Sequence, residues 1–260
     1  MDQIIDAPTG QAHRLPVKPA RVALIDLLRG VALLAMIAFH FSWDLEFLSL
    51  ADLNVTGNPL WIAFAHATAG SFLFTVGLSL VLAHGAGIRT KAFWRRFAMI
   101  AAAAGIVTLG SWFTSPDALI WFGILHCIAV SSVLGLAFLR LPAPLVIVAA
   151  AICLVAPAIW TSPAFNAPGW LWLGLASDPL PADDYIPLLP WFGLVLAGIA
   201  AARLALAFRP QESWARWQPH NALSRALAFG GRHSLIVYLV HQPLLLGALW
   251  IVAQILAARG

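Results

Sequence analysis

One stretch of the chain, IDLLRGVALLAMIAFHFSWD, places four ionisable side chains on an otherwise apolar, helix-length run. In hydrocarbon each such group costs roughly 2.5–3.5 kcal/mol, so each calls for a partner or a task. Asp26 and Arg29 stand at i, i+3 and share a helical face. Two readings are open: a mutually neutralising pair with a snorkelling arginine, or an anion-facing Arg29 oriented by Asp26, with Gly30 leaving room for close approach. His40 and Asp44 stand at i, i+4. A carboxylate on one ring nitrogen would fix the tautomer and leave the other nitrogen as a general base. The plainer reading is a histidine that caps the outer helix end.

Two more groups recur further along. His126 sits in WFGILHC, where a lone membrane histidine is more often a hydrogen-bonded packing residue than a catalyst. Ser234, Tyr238 and His241 recur at i, i+4, i+7 and form one polar stripe, and Pro243 releases the carbonyl of Leu239 as an acceptor. No metal site is expected, since His66 and His84 stand too far apart and neither HxxxH nor HExxH occurs. Cys127 and Cys153 lie inside apolar runs and read as small buried hydrophobes rather than a disulfide framework.

The elements that must position these groups are membrane helices. Of 260 residues, 61% are apolar and only 10% charged, where a soluble domain carries about 25% charge. Mean hydropathy is +0.86. Aqueous and disordered classes are thereby excluded, and no run alternates as barrel strands do. The apolar runs predict an all-α, polytopic transmembrane bundle of about seven spans: 23–41, 60–82, 97–112, 119–138, 145–160, 187–206 and 235–256. Pro157 breaks the fifth. A polar arm, residues 1–20, precedes a single helical domain, 21–260, and has no signal-peptide character.

Thirteen of the fifteen Lys and Arg fall in the arm and in alternate connections, among them Arg95, Arg96, Arg140 and Arg232. The opposite connections carry Asp44, Glu46, Asp52, Asp117, Asp178, Asp183 and Asp184. The positive-inside rule then puts the N-terminus in the cytoplasm and the C-terminus outside. With a bilayer-embedded chain, the net charge of +4 marks topology and not a nucleic-acid partner. Trp170, Trp172 and Trp191 fit an outer interfacial belt, and the Pro-rich segment 161–186 is otherwise a re-entrant lid. By depth, His40, Asp44, His66 and His126 belong to the outer half. Asp26, Arg29, Ser234 and Tyr238 belong to the inner half, with His241 toward the middle. Polar groups can therefore line a path across the membrane, as a proton-coupled secondary transporter also requires; no internal repeat supports a transporter. A non-catalytic membrane subunit is the third class.

IDLLRGVALLAMIAFHFSWDL, SFLFTVGLSL, WFGILHCIAVS, DYIPLLPWFGLVLAGI and GRHSLIVYLVHQPLL, in this order, resemble the heparan-α-glucosaminide N-acetyltransferase-like family, a branch of the transmembrane acyltransferases. The resemblance implies an enzyme of the bacterial inner membrane that takes acyl-CoA, with acetyl-CoA as one option, from the cytoplasmic side. It would deliver the acyl group to an outer-side acceptor such as a glycan amine or hydroxyl. Membrane lipids are the other partner, and a homo-oligomer is compatible. Asp26, Arg29, Ser234 and Tyr238 would then bind the co-substrate, and His40, Asp44, His126 and His241 would act in catalysis. The outer segment 43–59, where lysosomal members place their active histidine, contains none; His40 and His66 flank it.

Overall fold

A computed structural model describes residues 21–180, 182 and 184–258. The arm expected at 1–20, with Arg14 and Lys18, lies outside the described residues, as do Asp183 and Arg259. Nine α-helices run among the described residues: α1 (Ala23–Phe47), α2 (Pro59–His84), α3 (Thr90–Thr114), α4 (Ile124–Phe138), α5 (Ala143–Trp160), α6 (Leu188–Phe208), α7 (Gln211–Ala215), α8 (Ala222–Arg232) and α9 (Ser234–Ala257). They contain no strand. Local signals set several starts. The Asn58 side chain accepts from the Leu60 N–H, with Pro59 opening the first turn of α2. Asn221 does the same for α8 through the Ser224 N–H, at 2.7 Å.

Six of these helices, α1, α2, α3, α5, α6 and α9, are long and apolar enough to cross a bilayer. The third and fifth are longer than their apolar runs: α3 spans 25 residues, and α5 continues through Pro157 to Trp160. The fourth is shorter. α4 has 15 residues, about 22 Å at 1.5 Å per residue, against a hydrocarbon core of about 30 Å. It starts at Ile124 and not near 119 because side chains and a neighbouring strand of loop capture the backbone of 120–124. Ser111 Oγ accepts from the Ile120 N–H, Thr108 Oγ1 donates to the Ile120 carbonyl, and the Ile186 N–H donates to the Phe122 carbonyl. The Gly123 N–H donates to His126 Nδ1 and the Ile124 N–H to Asp184. Non-helical backbone is tolerated at membrane depth only when satisfied within the protein.

The inner connection 208–231 is also no simple loop, since it holds α7 and the amphipathic α8. The outer segment 161–186 folds into two short 3₁₀ turns, pinned by a parallel bridge between Ser162 and Ala176. Of the expected belt, Trp170 is half exposed, but Trp172 packs on Phe122 and Trp191 on His66.

Helix α6 is the inner post, packed on α5, α2 and α4, with Val195, Leu196 and Ile199 fully buried. Helix α1 forms a second axis, packed on α8, α2 and α9. Both axes rest on backbone-to-backbone contact, the way helices attract in an apolar medium where side-chain transfer offers no gain. A Cβ on Gly77 would strike the Val195 carbonyl oxygen, and one on Gly198 the Phe74 carbonyl. Likewise Gly30 faces the Leu227 carbonyl and Gly231 the Asp26 carbonyl, so α8 lies on α1 in the opposite sense. The room expected at Gly30 for a ligand is therefore filled by α8.

We predict that Gly231→Val costs about 1–3 kcal/mol or more through overpacking, read as a lower melting temperature of the detergent-solubilised protein. Gly105→Ala and Gly110→Ala, whose Cβ atoms meet open space within α3, are expected to stabilise by up to about 1 kcal/mol through helix propensity. Equal melting shifts for the three variants would count against the close-contact account.

Candidate functional site

The N-terminal end of α1 carries a cluster of opposite charges. Asp26, 4% exposed, accepts from Arg21 Nε at 2.6 Å and from Arg29 at 3.4 Å. Arg29 also donates to Ser79 Oγ on α2, and Ser79 in turn donates to the Thr75 carbonyl. The expected Asp26–Arg29 pair is therefore present, but Arg21 shares the carboxylate. Beside Ser79 opens a cavity of about 190 Å³ lined by Ser79, His84, Arg89, Phe93, Arg96 and Ser132. Arg96 acts electrostatically on Arg29. Three guanidinium groups, Arg21, Arg29 and Arg96, thus act on one described carboxylate, and Arg89 adds a fourth to the cavity wall. The excess positive charge suits a polyanion rather than a single counter-ion.

About 20 Å further along the same helix, at 1.5 Å per residue, a second cluster joins α1 to α9. The rings of His40 and His241 lie 5.0 Å apart, and Tyr238 lies 5.7 Å from His241. His241 thus sits level with His40. Asp44 is completely buried, and its Oδ1 accepts from Gln242 Nε2 at 2.6 Å. Among the described residues Asp44 forms no hydrogen bond with His40, contrary to the pairing read from their spacing. Four residues of separation puts two side chains on one face, but Gln242 from the facing helix takes the carboxylate instead.

The tautomer of His241 follows from its partner. Nδ1 lies 2.6 Å from the Tyr238 carbonyl, which can only accept, so Nδ1 carries the proton and the neutral ring presents a bare Nε2. That Nε2 is buried with no partner, and so are Asp44 Oδ2 and Gln242 Oε1. All three are acceptors. Each buried, unpaired polar atom costs about 1–3 kcal/mol, and native folds carry few. Three acceptors on neighbouring side chains describe a place for a guest rich in N–H or O–H donors.

His126 stands elsewhere. Its Nδ1 accepts from the Gly123 N–H, and Nε2 lies 3.3 Å from Thr108 Oγ1, whose own hydrogen goes to the Ile120 carbonyl. Both ring nitrogens are occupied in holding the start of α4, so the ring is a structural clamp and not a free base. Ser234 opens α9, and its hydroxyl meets no partner among the described residues; of the expected stripe, Tyr238 and His241 are brought together and Ser234 is not. Tyr238 packs between α1, α3 and α4. At the outer rim, the Tyr185 hydroxyl donates to the Leu171 carbonyl at 2.7 Å, and burial pushes it above the ordinary tyrosine range. Sequence reasoning missed Gln242, Ser79 and the sharing of Asp26 by Arg21. The adjacency of Gln242 to His241 was the available signal, but a glutamine has no fixed chemistry until its partner is known.

No curated protein and no solved structure matches the chain. A family model described as heparan-alpha-glucosaminide N-acetyltransferase, catalytic, matches residues 21–243, which takes in α1 through the His241–Gln242 pair. The chain therefore belongs to this family of membrane proteins.

Proposed function

We propose that the protein is a membrane-embedded acyltransferase that takes an acyl group from acyl-CoA and passes it to an amine. The observation that carries this reading is the set of three orphaned acceptors, Asp44 Oδ2, His241 Nε2 and Gln242 Oε1, one of them on a buried carboxylate that pairs with no described Lys or Arg. A protonated amine supplies three N–H donors and one positive charge, which is the complement of that set. A hydroxyl supplies a single donor.

The co-substrate belongs at the other end. Arg21, Arg29 and the cavity arginines Arg89 and Arg96 favour the phosphates of a nucleotide-bearing thioester. The extended arm of acyl-CoA would run past Tyr238 toward His241. There the amine, having given one proton to water on entry, gives a second to His241 Nε2 as its nitrogen attacks the thioester carbon. The carbon–nitrogen bond forms, the carbon–sulfur bond breaks, and the CoA thiolate leaves with the electron pair. The Tyr238 hydroxyl would donate to the oxyanion on the way, while the ionised Asp44 would stabilise the imidazolium and His40 would receive its proton. His126 holds α4, and Ser234 lines the start of α9.

The test is transfer of labelled acetyl from acetyl-CoA to a glucosamine-terminated oligosaccharide by the protein in nanodiscs. Arg29→Ala is expected to raise KM for acetyl-CoA at least about tenfold with kcat little changed, the signature of lost ground-state binding. His241→Ala is expected to lower kcat by about 10²–10⁴-fold, the usual worth of a positioned base, with KM for acetyl-CoA within twofold. Undiminished kcat in His241→Ala removes it from the chemistry. An O-linked product from a hydroxyl acceptor, with no N-linked product, overturns the amine assignment.

A further inference from the structure

The bond between Gln242 and Asp44 joins side chains 198 positions apart and is unusual in its chemistry. A buried carboxylate is ordinarily met by a cation. Here the partner is a neutral amide. His40 stands one turn before Asp44 on α1, and its ring lies 5.0 Å from that of His241, the residue next to Gln242 on α9, with Tyr238 5.7 Å from His241. Glu46, half a turn further along α1, is engaged by the Val55 N–H at 2.6 Å, and His66 on α2 lies edge-on to Trp191. No described Lys or Arg pairs with Asp44.

The choice of amide has a consequence. An arginine at 242 would hold the carboxylate by spending its charge, whereas a glutamine fixes one oxygen with an N–H and leaves the charge in place for the second. Because Nε2 must face Asp44 Oδ1, the amide orientation is set, and Oε1 is left as a further buried, unpaired acceptor. We propose that Gln242 is a positioning residue of this site, acting through Asp44: it locks one carboxylate oxygen across the α1–α9 interface and leaves Oδ2 unpaired on the face of α1 that carries His40. This assignment rests on the acyl-transfer reading for its kinetic consequences, but the hydrogen bond and its effect on the imidazoles stand without it.

The test compares the full-length protein with Gln242→Leu and Gln242→Glu in nanodiscs. It measures kcat, KM for acetyl-CoA, the pH–rate profile, the melting temperature and the ¹⁵N signals of labelled histidine rings. Gln242→Leu is expected to lose about 10–100-fold in kcat, as misplacing a reacting group does, with KM within twofold and displaced His241 and His40 ring signals. In Gln242→Glu a protonated carboxyl can donate to Asp44 at low pH as the amide did. Once that proton leaves, two adjacent carboxylates repel, so the alkaline fall in rate sets in at lower pH than in the parent. If Gln242→Leu melts too early to assay, the nearly isosteric Gln242→Glu carries the test. Parent-like kcat with unmoved ring signals in Gln242→Leu, or a superimposable pH profile in Gln242→Glu, overturns the proposal. If the parent transfers no acetyl group, the acyl-transfer reading falls, and the ring signals alone then judge the positioning role.

Discussion

Hydrocarbon offers no hydrogen bond, so each polar group of this fold must find its partner inside the protein. That constraint explains the entry to α4, where Thr108, Ser111, His126, Asp184 and Ile186 together engage the backbone of Ile120, Phe122, Gly123 and Ile124. It explains why Asp26 is shared by two arginines and why Arg29 reaches a second helix for Ser79. It also makes the exceptions informative. Where three neighbouring acceptors go unpaired although partners are supplied elsewhere with such care, the deficit is best read as the imprint of a ligand.

Helix α1 connects these features. One end carries the Asp26 carboxylate and its arginines, the other the buried Asp44, and both ends are gripped by the C-terminal part of the chain: α8 against Gly30 and α9 against Asp44. The glycine contacts leave α8 little freedom to slide on α1, because a shift would drive carbonyl oxygens into the facing backbone. The cation cluster at one end of α1 and the acceptor cluster at the other are thereby held at a fixed separation.

The histidines show how environment divides chemically equal side chains. His126 has both nitrogens engaged in a helix start, His241 has one committed to a carbonyl and one bare, and His40 lies against His241. Only the second arrangement leaves a base with a defined tautomer and an empty lone pair. Gln242, adjacent to His241 in sequence, gains its meaning from the opposite helix.

Hydrophobic runs and sparse charges suffice to read a helical membrane bundle from the sequence, because a twenty-residue apolar stretch has few other ways to be satisfied. The i, i+3 pairing of Asp26 and Arg29 was equally legible, since both ends of that contact lie within one helical turn. Spacing within α1 also suggested His40 with Asp44, and there local geometry was insufficient: a shared face permits a contact, but Gln242 from α9 occupies the carboxylate. The filling of the space at Gly30 and the triad of orphaned acceptors depend on residues about two hundred positions apart. The start of α4 with its clamp at His126 depends on Thr108 and Ser111 from the preceding helix and on Asp184, sixty positions on. Hydrogen bonds and backbone contacts between helices carry no signature in the spacing of either helix, so tertiary packing alone decided which polar residues were satisfied and which were left open for chemistry.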